Sequence, residues 1–116
     1  MKMKSILTAG ILALGIAAPT RAQITFVDLN PAGATYSGAL ATTGTQQAGA
    51  AKIGGVVRAA IWSGTAASFV NLNPAGPTES NVDATTGTQQ AGYAHIGGKD
   101  NAGIWSGTAA SFVNLQ

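Results

Sequence analysis

A period of 43 residues runs through this chain and limits its fold more than any other feature. Phe26, Phe69 and Phe112 are spaced by it, as are Trp62 and Trp105. The segment TTGTQQAG at 42–49 returns at 85–92, and Ile53-Gly54-Gly55 returns as Ile96-Gly97-Gly98. Between 26–68 and 69–111, 31 of 43 aligned positions are identical. Such self-similarity marks one supersecondary unit used more than once. A unit this short cannot bury its apolar surface alone and must stack on a neighbour.

Each copy reads as four short strands punctuated by turns. In the second copy the predicted strands are 82–86, 89–94, 102–105 and 111–115, with turns at Gly87-Thr88, Gly97–Asn101 and Ser106–Thr108. Period-2 alternation puts Ala91, Tyr93 and His95 on one face. Asn73-Pro74-Ala75-Gly76 ends the first copy, because proline cannot continue a ladder. The F-V-x-L strand occurs a third time at Phe26–Leu29, so nine strands are expected. No segment after residue 22 has helical periodicity with start and stop signals. The expected class is all-β, with tandem four-stranded antiparallel units resembling β-propeller blades: two complete copies plus one extra strand. Four strands in about 43 residues is the size of a propeller blade. A two-sheet sandwich fits the strand number but not the strict period, and a solenoid has a shorter period.

The first 22 residues have the layout of a secretory signal peptide. Lys2 and Lys4 precede an apolar run from Ile6 to Ala18, Pro19 breaks it, and Thr20-Arg21-Ala22 offers small residues at −3 and −1 of a cleavage site near Ala22. The run is shorter than the about 20 residues a membrane-spanning helix needs. The expected organisation is therefore 1–22 signal peptide, 23–68 leading strand plus first repeat, and 69–116 second repeat, with a secreted, extracellular or periplasmic location. Membrane contact is expected only during export. The whole chain carries +2, but beyond residue 22 three basic residues (Lys52, Arg58, Lys99) face four acidic ones (Asp28, Glu79, Asp83, Asp100), or −1. No basic stripe remains to neutralise phosphates, so nucleic acid is not an expected partner. The chain has no cysteine, so disulfides cannot compensate for a small core.

The order ATTGTQQAGYA (84–94), then IGG, then AGIWSGTAASFVNL (102–115) resembles the HAF-type extracellular repeats of bacteria. Those repeats are similar in a G-x-Q-x-x-G-type strand, a later Ala-x-x-Trp strand and a Leu-rich strand. The resemblance covers everything after residue 22. It implies a secreted, propeller-like repeat array without catalytic residues to carry over. Such arrays hold more copies than two, and a closed propeller needs about 4–8 blades. The expectation is therefore a fragment of a longer array, an assembly of copies such as a trimer giving six blades, or an open stack with exposed edges.

Chemistry-bearing residues are few. His95 is the only histidine, with Asp83 and Asp100 near it in sequence, but there is no G-x-S-x-G elbow and the first copy has Lys52, Leu40 and Val57 at the matching places. No catalytic residue and no cofactor are assigned. One histidine without cysteine cannot make a zinc site. Asp100 and Asn101 suit an Asx turn as well as a calcium loop, and the first copy has Val57-Arg58 there. Trp62 and Trp105 are candidates for stacking on sugar rings, or for packing between sheets with their N–H groups on backbone. Gln47 and Gln90, from the Gln46-Gln47 and Gln89-Gln90 pairs, could offer amides to hydroxyls, and Tyr93 completes the candidate ligand-binding set. The expected function is a secreted noncatalytic repeat module for extracellular or cell-surface interaction, within a larger array or assembly. The alternatives are a carbohydrate-binding lectin that closes a propeller by oligomerising, and a non-functional fragment of a longer repeat protein. Expected partners are further copies of the chain, or an extracellular glycan or protein.

Overall fold

The computed structural model describes residues 23–77 and 79–116; the signal-peptide segment lies outside them. Two antiparallel sheets of four strands follow one another along the chain. The first holds β1 (Ala34–Thr42), β2 (Gln47–Ile53), β3 (Val56–Trp62) and β4 (Val70–Asn71), in that spatial order. The second holds β5 (Ser80–Thr85), β6 (Gln90–Ile96), β7 (Lys99–Trp105) and β8 (Val113–Asn114), again in chain order. A short 3-10 turn, Ala66–Ser68 or Ala109–Ser111, precedes each last strand and is the only helical structure described.

Local chemistry explains the meander. The β2–β3 and β6–β7 connections are two glycines each, Gly54-Gly55 (φ 61° and 80°) and Gly97-Gly98 (φ 59° and 85°). Left-handed conformation at both central residues is the turn whose twist matches a hairpin, and glycine adopts it without a Cβ clash. Because two residues suffice, the expected long turn at 97–101 is corrected: Lys99, Asp100 and Asn101 pair with Ile96, His95 and Ala94 as strand. In the β1–β2 loop the Thr43 N–H donates to the Gln46 carbonyl at 2.9 Å, and the Thr86 N–H does the same to Gln89.

The expected leading strand, Phe26–Leu29, is also corrected. Its counterparts β4 and β8 exist because β3 and β7 offer them an edge, with Ala60 opposite Asn71 and Gly103 opposite Asn114. No sheet precedes residue 26 among the described residues, so this segment is unpaired and Phe26 is 88% exposed. The described residues form eight strands rather than the nine expected. The sheet-to-sheet link lies at 72–79, beyond the division expected after residue 68, since Val70 and Asn71 belong to the first sheet.

The sheets pack face to face, with β5 lying against β1, β2 and β3. The face of the first sheet that meets the second carries Ala48, Ala59 and Ile61, and with Leu72 of the link, Val82 and Trp105 it forms the main core. Alternation sends Ala51, Ala60 and Trp62 to the other face, where Phe69, Ile53, Ala34 and Leu29 pack around them. Six of the eleven buried hydrophobic residues are alanines, which let the sheets approach closely and leave the two tryptophans to supply bulk.

Candidate functional site

The densest polar construction in the molecule is the seam between the sheets. Gln46 reaches across from the β1–β2 loop. Its Oε1 accepts from Thr85 Oγ1 at 2.6 Å and from Gln90 Nε2 at 3.1 Å, and its Nε2 donates to the Gly87 carbonyl at 3.2 Å. The Trp105 indole N–H donates to the Leu72 carbonyl at 2.7 Å. The Ala59 N–H, on the β4 side of β3, donates to Ser80 Oγ at 3.0 Å, and Ser80 in turn donates to Asn73 Oδ1. Ser80 and Gln90 are fully buried, so these bonds remove the desolvation penalty that unpaired groups would carry.

The candidate ligand residues are placed as follows. Trp105 lies inside the seam, fully buried, its ring tilted against Phe112 at 4.9 Å between centroids. Trp62 is 1% exposed and meets Phe69 at 5.8 Å. A sugar ring would have to part the sheets to stack on Trp105. Gln90 Oε1 accepts the Gly107 N–H at 2.9 Å, and Gln47 Oε1 accepts the Gly64 N–H at the same distance, so each holds the loop after its own tryptophan strand. Tyr93 sits at the centre of the outer face of the second sheet, between Asn81 and Ala102. These five residues do not converge on one cleft. The grooves present are shallow and equivalent by the repeat, one beside Thr85 and Gln90, the other beside Thr42 and Gln47.

His95 and Asp100 are brought together as opposite residues of the β6–β7 hairpin, with Nδ1 2.8 Å from Oδ1. Asp83 instead accepts from Asn81 Nδ2 at 2.7 Å. No serine hydroxyl bonds to His95 among the described residues. Both members of the His95–Asp100 pair are solvent-accessible, and such pairs contribute little, about 0–1 kcal/mol.

Tyr93 has its phenol held above the usual 10.0 by burial first, then by the negative charges of Asp100, Glu79 and Asp83. Folding therefore favours the protonated phenol. Its stabilising contribution is complete below pH 10 and is lost as pH rises through the higher folded-state value. Denaturant titrations between pH 9 and 12 are expected to show an alkaline loss of stability that Tyr93→Phe reduces; identical pH profiles would refute this.

Two features of the seam escaped the sequence reading. Gln46, and not its neighbour Gln47, makes the cross-sheet contact. Ser80 and Asn73 recur as Ser37 and Asn30 at the same 7-residue separation, a periodic signal that strand assignment does not use. Fold and seam together define an all-β tandem-repeat protein whose repeated polar groups join one sheet to the next. Compared with protein-family models, curated proteins and solved structures, the chain matches none of them.

Proposed function

We propose that the chain is a secreted, noncatalytic interaction module, in which blade-like sheets stack as parts of a larger propeller-like array or assembly. One observation carries this reading. The side chains that sequence chemistry singles out, Trp105 and Gln90, are buried in a seam joining one repeat to the next. The groups that form the seam recur 43 residues apart, as expected of a surface made for repeated docking. The signal-peptide layout of residues 1–22 supports secretion, and the order of small residues shared with HAF-type repeats supports an extracellular array.

The test is a panel of chromogenic ester, glycoside, phosphate and peptide substrates, with the full chain run beside His95→Ala. Both proteins are expected to give no turnover above buffer. Turnover that His95→Ala abolishes would overturn the reading, since His95–Asp100 is the one acid–base pair assembled among the described residues.

A further inference from the structure

The seam joins two different faces, and the described residues carry each of them a second time with no sheet docked on it. We propose that a second copy of this chain docks head to tail, the outer face of its second sheet seating on the free face of the first sheet and repeating the internal seam. This deepens the interaction-module reading by naming the partner.

The outer face of the second sheet is the 43-residue image of the surface that receives it in the first. Ala48, Ala59, Ile61 and Leu72 are buried by the second sheet, at 0, 0, 6 and 0% exposure. Their counterparts Ala91 and Ala102 are exposed, Ile104 is partly so, and Leu115 is 58% exposed. The head of the first sheet is likewise the image of the face that docks in the second. Ser80, Val82 and Thr85 of β5 face the seam; Ser37, Ala39 and Thr42 of β1 hold the same places with no sheet against them.

The polar groups match as well. Gln89 stands where Gln46 stands, and Thr42, Gly44 and Gln47 stand where its partners Thr85, Gly87 and Gln90 stand. The shallow groove at Ala39–Thr42 and Gln47 lies where the Gln89 amide of an incoming copy would enter. Ser37 Oγ already donates to Asn30 Oδ1 at 2.9 Å, as Ser80 does to Asn73, leaving its lone pairs for the Ala102 N–H of the other copy.

Trp62 is the independent sign that a partner is missing. Its indole N–H is buried without a hydrogen-bond partner among the described residues, whereas that of Trp105 reaches the Leu72 carbonyl. Leu29, the counterpart of Leu72, packs on the Trp62 cluster but its carbonyl does not take this bond. In the docked pair Leu115 of the incoming copy replaces Leu29, and its carbonyl accepts from Trp62. Bulk is redistributed between the faces too. Tyr93 enlarges the outer face where the first sheet has Ala50, and Ala39 shrinks the head where the second sheet has Val82.

A head-to-tail contact is heterologous, so copies add in succession until a ring closes. The test uses the full chain in sedimentation equilibrium, with Ala102→Arg on the outer face and Ala39→Arg on the head, both exposed positions. Wild type is expected to run as a multimer, and each variant alone to lose at least tenfold in association constant. Mixing the two variants restores one intact head and one intact outer face, and is expected to yield a 1:1 dimer. Wild type monomeric throughout, either variant associating as wild type, or a mixture that does not dimerise would each overturn the proposal. Circular dichroism and tryptophan emission check the fold, and if an arginine variant fails to fold, Leu115→Gln and Ser37→Ala make the same comparison. A wild-type monomer with no turnover on the substrate panel removes this assembly and leaves the noncatalytic reading standing.

Discussion

Trp105→Ala is expected to lower the unfolding free energy by about 3–5 kcal/mol, the range for deleting a buried large aromatic. Trp105 is the largest apolar group in the seam, in one cluster with Ala48, Ala59, Ile61, Leu72 and Val82. Alanines cannot expand to fill the space it leaves, and the Leu72 carbonyl loses its donor. A comparison of phenylalanine variants separates these effects. Trp105→Phe strands the Leu72 carbonyl in a buried setting, at a cost of about 1–3 kcal/mol beyond the lost ring area. Trp62→Phe removes a buried N–H that has no partner in the single chain, so relief of that group offsets part of its lost packing. Urea denaturation of dilute, monomeric protein should therefore rank Trp105→Phe as the more damaging change. Equal losses would mean that the bond to Leu72 adds nothing to the seam.

Gly92→Ala is expected to cost about 3 kcal/mol, the upper range for overpacking that moves backbone. No unusual dihedral is involved. A Cβ at residue 92 would lie 2.0 Å from the Asn81 carbonyl oxygen and 2.9 Å from Val82 Cα, where β5 bulges between Val82 and Ala84. β5 cannot retreat, because its other side is packed against the first sheet. Gly49 has the same approach, 1.9 Å to the Gly38 oxygen, but its Cβ would enter the face of the first sheet that carries Ala51 and Trp62, which no sheet covers among the described residues, whereas that of Gly92 would enter the seam. Gly49→Ala is expected to be the milder of the two. For a domain of this size, about 3 kcal/mol lowers the thermal midpoint by roughly 12–24 °C. A shift of under about 5 °C for Gly92→Ala would show that the bulge opens without strain.

Alternation and turn chemistry made much of the fold legible. The glycine-rich segments after β2 and β6 marked turns, though not how tight they are, and the period announced two equivalent units. The misplaced boundaries share a cause. Lys99-Asp100-Asn101 has turn-like composition, yet a two-glycine turn leaves these residues opposite β6, and ladder pairing overrides local propensity. Phe26–Leu29 differs from the segments that hold β4 and β8 only in Asp28 for asparagine, yet it is not a strand, because a strand needs a neighbouring edge and composition cannot supply one.

The candidate residues divide in the same way. The sequence singled out Trp62, Trp105, Gln47, Gln90 and Tyr93 as chemically distinctive. It could not say that Gln90 and Trp105 face a neighbouring sheet while Tyr93 faces outward, since that depends on which face of each unit is covered. What the sequence determined by itself was the repeat: most strand-forming segments, their turns, and the duplication of most docking groups at a spacing of 43. Only the tertiary structure decided which copy of each group is engaged. Two sheets make one seam and leave one face of each kind open, so identical residues are buried at Ala59 and exposed at Ala102. The same tryptophan side chain is bonded at Trp105 and left without a partner among the described residues at Trp62, because the Trp105 acceptor lies in the link that follows the preceding sheet and no sheet precedes the first among the described residues.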